Sequence, residues 1–291
     1  MECYDGKVVL VTGASSGLGL SIVKQLATRS KISIIATGRS VEKMQCLFNL
    51  LQSASVNIEC RFLDLEGSDD KIATDISNAI SAFGTVDVLI NCAGMGFRGR
   101  IEDTNMLIDR KIMQVDYFGQ IAVIKGVISR WRLEGRRQGQ IIQVSSVQGY
   151  FGITERAPYS SAKHALIGFI DSLRVEISEY PANDNFRITL VSPGYIATNH
   201  SINALTASGS TCNTQDEYSI NGFPPAYVAN EMLLQAAIGK TEIIIADSKV
   251  KLLIILRALC PALCFRILRN RYSGRKESLI ISIIKCFFGL T

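Results

Sequence analysis

Tyr159 and Lys163 stand four residues apart in the run YSSAK, so on a helix they share one face. A free tyrosine, with a pKa near ~10, is a poor proton shuttle at neutral pH. A neighbouring ammonium favours the phenolate, and lowering that pKa by about three units takes about 4 kcal/mol of differential stabilisation. Ser146, thirteen residues before Tyr159 at the end of an apolar run, can donate a hydrogen bond to the same substrate oxygen. Together the three make a general acid and an oxyanion-type donor around a carbonyl. The spacing alone would equally suit an exposed Tyr–Lys pair on a surface helix, so the chemical reading leans on a second feature, a glycine-rich turn.

The first apolar run leads straight into TGASSGLG (Thr12–Gly19), and a helical pattern starts at Leu20. Gly13, Gly17 and Gly19 suit a tight turn, close backbone approach to a pyrophosphate, and close packing of helix on strand. Ser15, Ser16 and Leu18 complete the turn. The helix N-terminus then faces an anion with free N–H groups and its dipole. Any strand can end in such a turn, but its place inside a β-α-β unit points to a nucleotide.

The G-x-x-x-G-x-G spacing is similar to that of the short-chain dehydrogenase/reductase family, and further motifs follow in that family's order over roughly residues 6–247. Asp64-Leu65 resembles its adenine-contacting pair, and Asn91-Cys92-Ala93-Gly94 its N-x-A-G motif. Ser146 with Tyr159 and Lys163 resembles the catalytic serine and Y-x-x-x-K. Pro193-Gly194, with Ile196 and Thr198, resembles P-G-x-x-x-T. The resemblance implies hydride transfer between a nicotinamide and a carbonyl or hydroxyl carbon, with Tyr159 and Lys163 also contacting the cofactor. In KIMQVDYFG (Lys111–Gly119), Asp116 stands where the family usually has a catalytic asparagine that supports a water link to the lysine. A carboxylate there should raise the lysine pKa and oppose the tyrosinate, lowering activity or moving its pH optimum upward. At Thr37-Gly38-Arg39-Ser40, Gly38 takes the place of the acid of NAD-using members, and Arg39 offers a planar fork for a 2′-phosphate. That implies NADP(H).

These residues need a scaffold, and seven nearly all-apolar runs can provide it: Lys7–Thr12, Ile32–Thr37, Asn57–Leu63, Val86–Asn91, Gln140–Ser145, Arg187–Ser192 and Glu242–Ala246. Continuous apolar strands between helical stretches predict an α/β fold, a doubly wound Rossmann-type parallel seven-stranded sheet with helices on both faces. Residues 1–248 are expected to form that domain; within it the stretch 199–224 is rich in Ser, Thr, Asn and Gly, and 199–228 are expected to be a substrate lid. Residues 249–291 form an apolar, basic tail. Only Met1–Gly6 precede the first run, so no signal peptide is expected there. With two histidines and no C-x-x-C among eight cysteines, no metal site is expected.

Charge is unevenly spread. From Lys249 onward there are nine basic residues and one acid, so the tail holds +8 and the rest −3 of the net +5. A mildly acidic body argues against nucleic acid as a partner. The tail suits a membrane surface, although Leu252–Leu268 could instead fold back over the substrate pocket or form a dimer face. The family resemblance is strongest around Val191–Ser210, and it implies a lipid-like ketone or alcohol as substrate, possible homodimers, and an endoplasmic-reticulum or peroxisomal membrane location with the active domain facing the cytosol. Reduction of acyl- or alkyl-dihydroxyacetone phosphate would need a cation, for which Arg98, Arg100 and Arg156 are candidates. A steroid or retinoid dehydrogenase is the second reading, and a nucleotide-sensing module of low activity the third.

Overall fold

All seven apolar runs form strands, within two residues of the expected ends. The computed structural model describes residues 2–28, 31–53, 55–178 and 185–272. Along the chain come β1 (Val8–Thr12), α1 (Gly17–Ala27), β2 (Ile32–Gly38), α2 (Val41–Phe48), β3 (Val56–Phe62), α3 (Asp69–Ile80) and β4 (Val88–Asn91). The short β5 (Phe97–Arg98) and α4 (Met106–Met113) precede α5 (Gly119–Leu133), β6 (Gln138–Val144), α6 (Ala157–Ser178) and β7 (Asn185–Pro193). Then follow β8 (Leu205–Thr206), α7 (Glu217–Ile220), α8 (Pro225–Ala237), β9 (Glu242–Ile245), α9 (Ser248–Leu259) and α10 (Pro261–Tyr272).

The main sheet is parallel throughout, in the order β3-β2-β1-β4-β6-β7-β9. Alternate residues feed opposite layers. Val9 and Val11 pack under α1, α2 and α8, whereas Leu10 packs under α3, α5 and α6. Both faces are therefore dry, which is why the strands read as unbroken apolar runs. The order reverses between β1 and β4, and a doubly wound sheet binds ligands outside the strand ends at that point.

Between β7 and α8 the chain leaves the sheet. The expected lid is tied down by β8, which pairs with β5, and by a bridge from Ile196 to Phe223. Since α8 starts at Pro225, the irregular stretch covers 199–224. The tail folds back. Leu253, Cys264 and Leu268 of α9 and α10 bury Val147 and Phe151, just beyond Ser146. Among the described residues no helix is long and apolar enough to cross a membrane. The second apolar run of the tail, Leu279–Leu290, lies outside the described residues.

Candidate active site

The glycine turn, Arg39, Asp64-Leu65, Asn91–Gly94, Ser146 and Pro193-Gly194 sit at or just beyond the C-terminal ends of the strands, whereas Tyr159 and Lys163 come from α6 and Asp116 from the helical turn before α5. Gly13, directly after β1, has φ +69°, and a Cβ there would lie 2.8 Å from the Cα of Ala93, two residues after β4. The ends of β1 and β4 can meet this closely only because one residue lacks a side chain. A Cβ on Gly19 would run into the Gly13 carbonyl, and Gly17 (φ +53°) packs toward the Thr198 methyl. Ser16 takes the N-cap position of α1 without a side-chain cap bond. With Ser15 and Leu18, these residues form a bare backbone cradle at a helix N-terminus, which fits a pyrophosphate.

Beneath the cradle lies a closed polar network. Thr12 Oγ1 donates to Asn91 Oδ1 (2.8 Å) and accepts from the N–H groups of Cys92 and Ala93. Asn91 Nδ2 donates to the Gln120 carbonyl and to Gln143 Oε1 (2.9 Å), and Gln120 Nε2 donates to the Ala93 carbonyl. Thr12, Asn91, Gln120 and Gln143 are all buried. A fully satisfied buried network rigidifies what it holds, here the Asn91–Gly94 turn. Asn91 is thus a positioning residue. Its partners Gln120 and Gln143 carried no local signal in the sequence. After β3, Asp64 Oδ1 accepts from the Glu66 N–H, and the carbonyl of buried Leu65 accepts from Gln114.

The catalytic candidates converge. Pro158 in the first turn of α6 costs no hydrogen bond and is followed at once by Tyr159, which places Lys163 one turn on. Lys163 Nζ lies 5.4 Å from the Tyr159 ring centroid. The Ser146 Oγ accepts from the Gln148 N–H at 3.2 Å, leaving its own hydrogen free to donate. Burial pushes the Tyr159 phenol up, Lys163 pulls it down, Asp116 opposes that pull, and Ser146 aids it; the net direction is upward. Burial disfavours the Lys163 ammonium, but Asp116 and Tyr159 outweigh it and raise its pKa.

Asp116 lies in a π-helical turn, Gln114–Phe118, between α4 and α5. Such a turn re-aims one residue within a helix. Its buried Oδ1 accepts from the Met95 N–H at 2.7 Å. Its Oδ2 stands 3.7 Å from Lys163 Nζ, an ion pair too long for a hydrogen bond, and has no hydrogen-bond partner among the described residues. Burial pushes the Asp116 carboxyl up against the pull of Lys163 and the Met95 N–H. A Cβ on Gly94 would sit 3.1 Å from Asp116 Oδ1 and 3.5 Å from Lys163 Nζ, so the N-x-A-G glycine leaves room for this pair.

Three features were not foreseen. His200 places its ring 6.0 Å from that of Tyr159, at the exposed edge of the cleft. The enclosing cleft walls, then the Lys163 and Arg156 cations, hold its pKa below that of a free imidazole. Arg39 is not free, since its Nη1 meets Glu66 Oε1 at 3.0 Å while Lys111 holds Glu66 Oε2 at 2.9 Å. Of the candidate cations, Arg98 and Arg156 converge on one oxygen, Asp216 Oδ2 in the lid, at 3.1 and 2.8 Å. Arg100 lies apart, exposed and paired with Glu102.

The short chain dehydrogenase family model matches residues 7–208. The chain is 34% identical over 275 residues to dehydrogenase/reductase SDR family member 7B of Bos taurus, covering 93% of this chain and 82% of that protein. It is 38% identical over 270 residues to dehydrogenase/reductase SDR family protein 7-like of Drosophila melanogaster, covering 91% and 80% respectively. In fold it is similar to a short chain dehydrogenase/reductase from Burkholderia phymatum in complex with NAD, with TM-score 0.76 at 16% identity over 96% of this chain and 98% of that one. The chain belongs to the short-chain dehydrogenase family.

Proposed function

We propose that the protein is an NADP(H)-dependent oxidoreductase that interconverts a ketone and a secondary alcohol on a lipid-like substrate. The observation that carries this is the convergence of Ser146, Tyr159 and Lys163 beside the Gly13–Gly19 cradle. A bound nicotinamide would supply or accept the hydride. The cradle would hold its pyrophosphate, Asp64 and Leu65 its adenine side, and the Pro193–Thr198 segment would close over it. The chain's own groups manage the proton. Ser146 donates to the carbonyl oxygen and fixes it against Tyr159, whose phenol gives up its proton as the alkoxide forms. Lys163 stabilises the phenolate left behind, and bulk solvent restores the proton. Gly38 and Arg39 support NADP(H): Gly38 carries no carboxylate to accept from ribose hydroxyls, and the exposed Arg39 guanidinium would offer its donor fork to a 2′-phosphate.

Arg98 and Arg156 support a substrate with an anionic group, such as acyl- or alkyl-dihydroxyacetone phosphate, over an uncharged steroid or retinoid. They already hold a carboxylate, Asp216, with one positive charge in excess, and their side chains are only 23% and 13% exposed. A nucleotide-sensing module would have no need of the intact serine, tyrosine and lysine. The exposed Ile255 and Leu259 of α9, beside the basic residues of the tail, support a membrane-surface setting.

The test is NADPH oxidation against acyl-dihydroxyacetone phosphate, ketosteroids and retinal, with Tyr159→Phe as control. The phenylalanine keeps the ring and removes the proton, so kcat should fall by about 10²–10⁴ while NADPH binding persists. Turnover that survives in this variant would assign the proton transfer to another group.

A further inference from the structure

A cavity of about 730 Å³ lies between the lid and the C-terminal helix pair, and neither Ser146 nor Tyr159 lines it. Phe223 and Tyr218 of the lid form one side, and Val250, Leu253 and Leu256 of α9 with Leu268 of α10 the other. Apolar lining atoms without neighbours forfeit dispersion contacts that a hydrocarbon occupant would restore. A space this large lies in the roughly 300–1,000 Å³ range of ligand sites. Among the described residues, the charged ones lining it, Asp247 and Lys249, are of opposite sign, so their charges cancel and do not favour an ion.

Its position says what it serves. Gly194 and Tyr195 belong to its wall and continue into Thr198, which packs toward Gly17 of the cradle. The same short strip of chain therefore borders the cofactor cleft and the cavity. The other boundary is α7, with Asp216 at its start on Arg98 and Arg156 and Tyr218 on the cavity wall. Leu252 lines the cavity and is also 46% exposed, so the cavity reaches the surface along α9.

We propose that this cavity houses the hydrocarbon chain of the substrate, with its anionic group at Arg98 and Arg156, so that chain length sets specificity. The substrate half of that statement rests on the reductase reading above. Hydrocarbon burial contributes ~0.8 kcal/mol per methylene. Over a homologous series of methyl ketones, kcat/KM should therefore rise by up to about fourfold per added methylene until the cavity is filled, then level off or fall.

The experiment uses the full chain and cis-parinaric acid, a long polyene acid whose fluorescence rises on leaving water. Long-chain methyl ketones should displace it and short ones should not. Leu256→Trp and Val250→Trp each fill the cavity. Each should weaken parinarate at least tenfold and flatten the chain-length series, while NADPH affinity and turnover of the shortest ketone are kept. Leu256→Ala, which enlarges the space, should move the optimum to longer chains and guards against tryptophan variants that fail to fold. Unchanged parinarate affinity and an unchanged series in well-folded variants would overturn the proposal. If parinarate responds as expected but no ketone is reduced, the cavity stands as a hydrocarbon site and the reductase reading falls.

Discussion

Lys163 faces two groups that can carry negative charge, Tyr159 across its ring at 5.4 Å and Asp116 Oδ2 at 3.7 Å, and the second competes with the first for the same ammonium. An asparagine at 116 would leave the whole cation to the phenolate. With Asp116 present, the Tyr159 pKa is held up by burial and by this carboxylate, against Lys163 and Ser146. The sign follows for each direction of reaction. Ketone reduction needs the phenol protonated, so it persists through neutral pH and is lost only as pH rises past the raised pKa. Alcohol oxidation needs the phenolate, so it climbs with pH above neutrality. Asp116→Asn keeps an oxygen for the Met95 N–H and removes the charge. Both limbs should then move to lower pH, oxidation at pH 7 should rise several-fold, and reduction should fade earlier on the alkaline side. The check is a pair of pH profiles of kcat, one per direction. Unmoved limbs would show that the carboxylate does not act through Lys163.

The proposed preference for NADP(H) rests on three neighbouring residues: Arg39 directly follows β2, Glu66 lies in the turn after β3, and Lys111 lies in the last turn of α4. Glu66 bridges both cations, yet the Arg39 and Lys111 side chains are 66% and 40% exposed. Exposed pairs of this kind contribute only about 0–1 kcal/mol each, so a 2′-phosphate can displace the carboxylate and take both donors. Glu66→Gln should therefore tighten NADPH a few-fold and leave NADH almost unchanged, whereas Arg39→Asp should reverse the order, both read by fluorescence titration at fixed salt. Equal affinities for the two cofactors in the parent protein would remove Arg39 from this role. The arrangement also shows why parts of the site were legible in sequence and parts were not. Gly13, Tyr159, Lys163 and Pro193 lie at strand ends or on one helical face, where spacing encodes position, and strands buried on both faces announce themselves as apolar runs. The Arg39–Glu66 and Arg98–Asp216 pairs join residues distant along the chain, and nothing local marks such partners. The two-residue β5 and β8 are likewise set by tertiary contact, not by propensity.

The sequence of the tail allows a membrane-facing segment, a cap over the pocket or a dimer face, because apolar residues spread around a helix do not say which face is covered. In the structure α9 divides them. Leu253 and Leu256 face inward, and Leu253 packs with Val147 and Phe151 just beyond Ser146. Ile255 and Leu259, four residues apart on the same helix, remain 54% and 80% exposed, and Phe265 of α10 is 48% exposed. Between Lys249 and Tyr272 the chain carries six basic residues and no acid. An apolar strip flanked by cations fits an anionic bilayer surface, where each basic residue contributes about 1 kcal/mol within a Debye length of ~10 Å at 0.1 M salt. Such docking would also bring the exposed Leu252 rim of the cavity to the lipid. Removing the tail would uncover the core at Val147 and Phe151 and confound binding with unfolding, so the sharper test keeps the inner face intact. Ile255→Glu with Leu259→Glu alters only exposed positions, where substitutions usually cost within about 0.5 kcal/mol each, so the thermal midpoint should move by no more than about 4 °C. NADPH affinity should be unchanged. Sedimentation with anionic liposomes should drop at least tenfold, and in the parent protein it should weaken as salt rises. If the double variant melts like the parent and still sediments with the liposomes, α9 is not the docking face and its exposed leucine must be explained another way.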